Sequence, residues 1–228
     1  MRDEPCPNCG TGAPRRFCPE CGQRQGEEAT KLRFWLRRAV DEYVSLDGRV
    51  PRSLRLLLLR PGRLSTEWHR GRRVRYSNPL RLALLGAILM VAVVGVTFPE
   101  EPLPTRFLPL VLVAMSPALA GLLGWMERSG SETYLEHTVT VLHLQAVYFL
   151  FLSLTVLSTA DGLPARGLFE ALGGLAFFWT AAYTALALRR IYDDSWPGAI
   201  AKTAAFHFAW WFLLGAVLGL ASSAATAV

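Results

Sequence analysis

The sequence predicts an all-α integral membrane protein of about five transmembrane helices, with a small zinc ribbon at its N-terminus. Three observations carry that prediction. Of 228 residues, 52% are hydrophobic and only 18% charged, a balance outside that of soluble globular domains. The charge is lopsided: residues 1–79 hold 17 of the 24 Lys and Arg and 9 of the 18 Asp and Glu, a net of +8, whereas residues 80–228 carry a net of −2. All four cysteines fall within the first 21 residues. Together these exclude a soluble single domain, a secreted disulfide scaffold and a disordered chain. The chain divides into a ribbon over 1–26, a basic amphipathic juxtamembrane connector over 27–79 and a transmembrane helical domain over 80–228.

A helix needs about 20 apolar residues to cross the hydrocarbon core. Five windows meet that length, near 82–98, 107–126, 138–160, 171–188 and 203–224. The second contains Pro109 and Pro117, so a kink is expected there, with neighbouring helices satisfying the freed backbone groups. Five apolar helices in succession leave no amphipathic partners to cover them in water. Lys and Arg in the short loops set the orientation. With the N-terminus cytoplasmic, the inner loops hold Arg128, Arg189, Arg190 and Lys202 beside the basic head, and the outer loops hold only Arg106 and Arg166. The C-terminus is then outside. The first residues, Met1-Arg2-Asp3-Glu4, lack an apolar run, so no cleavable signal peptide is expected.

The cysteines form two matched knuckles, Cys6-Pro7-Asn8-Cys9-Gly10 and Cys18-Pro19-Glu20-Cys21-Gly22. Two thiolates separated by two residues converge on one ion when the chain turns tightly. Proline presets the turn, and glycine tolerates the left-handed conformation that follows. Two knuckles supply the four sulfurs of a tetrahedral Zn2+ site. Paired disulfides need an oxidising compartment, which a cytoplasmic head lacks. Four thiolates leave no open position for water or substrate, so Cys6, Cys9, Cys18 and Cys21 are read as ligands of one structural zinc. A ribbon of this size needs the metal to fold.

The connector is basic throughout. From Thr30 to Leu46, Leu32, Trp35, Leu36, Ala39, Val40, Tyr43 and Val44 recur with helical spacing and form one apolar face. Pro51 suits the first turn of a second helix running through Leu56 to Leu59 and stopping at Pro61-Gly62. Arg63, Arg70, Arg72, Arg73 and Arg75 follow, just before the first span. Their position favours contact with the anionic headgroups of the bilayer. A topology signal alone and nucleic-acid binding are the rival readings.

These pieces resemble an uncharacterised family of bacterial inner-membrane proteins, a domain of unknown function with an N-terminal zinc ribbon. The resemblance rests on the two knuckles, Leu46-Asp47-Gly48-Arg49, Arg60-Pro61-Gly62, Gly71-Arg72-Arg73-Val74-Arg75-Tyr76 and Asn78-Pro79. Tyr134, Glu136-His137, His143 and Leu188-Arg189-Arg190-Ile191-Tyr192 extend it along nearly the whole chain. It implies a ribbon, a basic connector and a helical membrane domain, and no reaction. The chain departs from the family pattern at Ser45 and Gln145, where members often carry histidine. Both departures weaken any metal or proton relay built on those positions.

Ionisable groups at membrane depth default to functional candidates. Glu136, His143 and His207 could be brought together by packing as an intramembrane metal or proton site. The competing reading places Glu136 and His137 at the interface and has the other two histidines bonding neighbouring helices. Gly215 and Gly219 form a small-xxx-small motif that could pack a homodimer.

The leading functional reading is non-enzymatic. It is a membrane-anchored adaptor or regulatory protein in the inner membrane, whose cytoplasmic ribbon contacts an unidentified protein partner. The alternatives are an intramembrane enzyme or small transporter using Glu136, His143 and His207, and a membrane-tethered nucleic-acid-binding head.

Overall fold

The computed structural model describes residues 5–12, 17–24, 48–101, 106–127, 130–160 and 166–226. Within them the elements are α-helices, and two isolated antiparallel bridges occur in the ribbon, Pro5 to Gly12 and Phe17 to Arg24. The amphipathic stretch expected over 30–46 lies outside the described residues, as does Arg128.

Two short helices precede the membrane domain: α1 (Arg49–Leu59) and α2 (Arg63–His69). Pro51 occupies the first turn of α1, where a missing N–H costs nothing. Gly62 then takes a left-handed φ of 75° and starts α2. A Cβ at Gly62 would lie 2.7 Å from the Ala187 carbonyl oxygen, so the chain presses backbone to backbone against a later helix at this turn.

The longer helices are α3 (Pro79–Thr97), the pair α4 (Leu108–Ala114) and α5 (Ser116–Met126), α6 (Tyr134–Leu157), α7 (Arg166–Tyr192) and α8 (Trp196–Thr226). Four of these are long and apolar enough to cross a membrane, and the bent pair makes up to five. Asn78-Pro79 is a helix start: the Asn78 side chain accepts the Leu80 N–H at 3.0 Å, and Pro79 sits in the first turn. α6 opens on a capping box in which Thr133 and Glu136 each satisfy the other's backbone N–H. It therefore begins four residues before the apolar window, and Glu136 belongs to its first turn.

The expected kink is present as a 45° bend between α4 and α5. Proline at 117 removes the donor that would have met the Val113 carbonyl. The Ser116 hydroxyl lies 2.6 Å from that oxygen instead. From α6, the Gln145 Nε2 donates to the Leu112 carbonyl at 2.8 Å, and its Oε1 lies 2.8 Å from the Ser116 hydroxyl. A fully buried glutamine thus completes a broken span from the neighbouring helix.

α6 is the centre of the bundle: His143, Gln145, Val147 and Phe149 are buried, with α3, α5 and α7 packed around it. The outer helices turn large apolar side chains outward, among them Leu85, Ile88, Leu89, Phe178, Phe208 and Phe212. Such a belt suits hydrocarbon and would be costly in water. The starts of α3, α6 and α8 and the ends of α5 and α7 share one face of the bundle. There the Lys202 ammonium joins Glu127 at 2.6 Å and Asp194 at 2.5 Å, tying three of these ends together.

Candidate metal centre and its seat on the bundle

The two knuckles fold alike because their sequences are alike. In the first, Gly10 N–H donates to the Cys6 carbonyl at 2.8 Å; in the second, Gly22 N–H donates to the Cys18 carbonyl at 2.9 Å. Both glycines carry the left-handed φ the turn demands, 81° and 70°. The four sulfurs consequently lie within 4.8 Å of one another. Cys6 Sγ is 3.7 Å from Cys21 Sγ, and Cys9 Sγ is 3.5 Å from Cys18 Sγ. These are too long for disulfide bonds. A tetrahedron of sulfurs at about 2.3 Å from a central ion has edges of about 3.8 Å, so the cluster could hold a metal ion. Among the described residues no other group of three or more His, Cys, Asp or Glu brings its ligand atoms so close.

The thiols are unequal. The Thr11 backbone N–H draws Cys9 down to about 6, whereas burial pushes Cys21 up to about 11. A bound cation would displace the remaining protons from all four. Cys6 and Cys18 are buried inside the ribbon, while Cys9 is exposed.

The ribbon does not stand apart from the bundle. Gln23 Nε2 donates to the Gly71 carbonyl at 2.7 Å, and Gln23 Oε1 accepts the Arg73 N–H at 3.3 Å. A Cβ at Gly71, whose φ is 81°, would meet the Pro7 ring at 3.1 Å. So one knuckle contributes Pro7 and the other contributes Gln23 to a single docking surface on the 71–73 turn. That turn is held from below by buried Glu67, whose carboxylate pairs with Arg72 Nη1 at 2.7 Å, and whose carbonyl accepts the Arg72 N–H. The Arg73 guanidinium lies over the Trp68 ring, 5.7 Å from its centroid. Arg72 and Arg73, expected at the lipid surface, therefore also serve intramolecular contacts. Arg63 and Arg70 are exposed, and the Arg75 carbonyl lies 3.5 Å from Arg52 Nη1.

The three candidates for an intramembrane site have separate partners. Glu136 is spent on the α6 cap, where its Oε2 accepts the Thr133 N–H at 2.7 Å. His143, fully buried, has its Nδ1 2.9 Å from the Ser65 hydroxyl of α2. His207 lies 2.9 Å from the Tyr148 hydroxyl, which in turn meets Thr184. His137 Nδ1 is 2.9 Å from the Tyr192 hydroxyl. Each histidine bridges two helices rather than converging with the others. His69, which sequence reasoning passed over, is another such bridge, joining α2 to the Glu136 carbonyl and Thr140 of α6. No periodicity or motif marks it. A Cβ added at Gly215 or at Gly219 would meet nothing within 4 Å.

A family model described as Protein of unknown function (DUF3667) matches residues 47–91. The matched stretch holds α1, α2, the 71–73 turn and the first part of α3, the segment on which the ribbon sits. No curated protein and no solved structure matches the chain.

Proposed function

We propose that the chain is a membrane-anchored adaptor or regulatory protein of a bacterial inner membrane, with its ribbon on the cytoplasmic side and one structural zinc held by Cys6, Cys9, Cys18 and Cys21. The observation that carries this reading is the four-sulfur cluster itself, whose ligands would fill the coordination sphere of one ion, seated by Pro7 and Gln23 on the connector. A closed site offers shape, not a reaction. The connector arginines lie on the face shared with Arg189, Arg190 and Lys202, which supports the positive-inside orientation. The ribbon keeps one side outward: Phe17 is exposed, with the Arg24 guanidinium 5.9 Å from its ring centroid. That pair is the part of the ribbon best suited to meet a protein partner, since aromatic and arginine side chains dominate binding hot spots.

Site-specific photo-crosslinking from position 17 in living cells tests the reading. A discrete adduct that vanishes in Cys6→Ser/Cys9→Ser protein still inserted in the membrane supports an adaptor. Absence of any adduct from position 17 and from its neighbour Glu20 contradicts it.

A further inference from the structure

Where α2 meets the end of α7, the surface sinks into a recess of about 460 Å³ walled by Arg60, Arg63, Arg70 and Arg190, with Thr66 and Glu67. Four guanidinium groups share it with one carboxylate, and that carboxylate is already paired with Arg72. Among the described residues no acid pairs with Arg60, Arg63 or Arg70. Arg190 donates through Nη1 to the Pro61 carbonyl, which fixes its head at the mouth and leaves its other donors uncommitted. Arg70 and Arg190 also line an adjoining recess that holds Glu132, Glu136 and Asp193, whereas Arg60 and Arg63 have only the already paired Glu67 beside them. Each guanidinium presents a fork of N–H donors matched to phosphate oxygens. The backbone makes the crowding unavoidable, because the left-handed Gly62 turn presses the Arg60-Pro61-Gly62 corner onto Ala187, one turn of α7 before Arg190.

Depth identifies the ligand class. Arg190 lies two residues before the end of α7, the level at which a membrane-spanning helix leaves the hydrocarbon and meets the headgroups. Leu59, 70% exposed, stands on the rim of the same recess. An apolar side chain beside four arginines suits an amphiphile better than a free ion.

We propose that this recess is a binding site for the phosphate group of an anionic phospholipid headgroup, with Arg60, Arg63, Arg70 and Arg190 as its donors. The proposal rests on the membrane placement of the chain but not on the ribbon's zinc or on any protein partner. The cysteine and crosslinking experiments can therefore fail without touching it.

Thermal unfolding in a neutral detergent, followed by tryptophan fluorescence, gives the test. The protein is titrated with dioctanoyl phosphatidic acid, with dioctanoylglycerol, which has the same chains and no phosphate, and with inorganic phosphate. The phosphatidic acid raises the midpoint saturably and dioctanoylglycerol does not. Arg63→Gln/Arg70→Gln weakens that response by about tenfold or more, as loss of two charge-assisted donors should, while Arg106→Gln on the opposite face responds as wild type. Should the double variant fold poorly, Arg63→Gln alone carries the same comparison, its side chain being exposed. Saturable stabilisation by inorganic phosphate as strong as that by phosphatidic acid would retain the phosphate site and assign it to a soluble ligand. Equal responses to phosphatidic acid and dioctanoylglycerol, or an unchanged response in the arginine variants, would overturn it.

Discussion

Gln23 holds Gly71 across 48 positions of sequence, through a 2.7 Å hydrogen bond from its side-chain amide to the glycine carbonyl. Its other amide atom takes the Arg73 N–H, so one side chain satisfies both a donor and an acceptor of the same turn. Each such bond contributes about 1 kcal/mol net. Gln23→Ala should therefore release the ribbon from the bundle without emptying the four-sulfur site. Hydrogen exchange at residues 71–73 should rise while metal content stays at the wild-type level. Loss of the metal together with the contact would mean that docking and coordination are one unit.

The Gly62 corner should tolerate no side chain. A Cβ there meets backbone, not a movable side chain, and the residue is also left-handed. Strain of this kind costs roughly 1–3 kcal/mol, with the clash in addition. Gly62→Ala should lower the melting temperature in detergent markedly. Gly174→Ala, on an exposed face of α7 with open space around it, should be neutral or slightly stabilising.

Gln145 should prove structural. Replacing it by leucine removes the side-chain donor from the Leu112 carbonyl at the α4–α5 break, which then keeps the Met115 N–H at 3.1 Å, at a cost of about 1 kcal/mol. Unfolding in detergent checks this, with Gln145→Glu as the companion: it keeps the shape and loses the amide donor. A stability equal to wild type in the leucine variant would show that the break is satisfied some other way.

Much of this architecture was legible in the sequence, for reasons that differ by element. The knuckles were readable because coordination and turn chemistry are local, fixed within five residues. The kink was readable from Pro117 because a missing N–H is a property of one residue. The roles of Gln145 and Gln23 were not, because each depends on a backbone group brought close by tertiary packing. Read by type, Gln145 was a histidine lost from a relay; in place, it is an added donor to the Leu112 carbonyl beside a proline-broken span. The same holds for Glu136, His143 and His207. Their residue types announced chemistry at membrane depth, but the fold shows that Glu136 caps its own helix, His143 bonds Ser65 of α2 and His207 bonds Tyr148 of α6.

His69 supplies a pH dependence. Burial holds its imidazole below the usual 6.5, with the nearby Glu136 partly opposing. The folded state therefore binds fewer protons than the unfolded state as pH falls below about 6.5. Stability contributed by neutral His69 is present above that pH and is lost progressively below it. Glu127, whose carboxyl burial holds above its usual range, acts in the opposite sense and is common to both proteins compared. Between pH 7 and 5, wild type should lose more stability than His69→Gln. Parallel curves would contradict the assignment.

Metal content per chain, measured on protein purified in mild detergent beside Cys6→Ser/Cys9→Ser, tests the central claim most directly. One zinc per chain is expected in the wild type and none in the variant, with the membrane helices still folded. A wild-type protein without metal, or zinc that survives the loss of both cysteines, would contradict it.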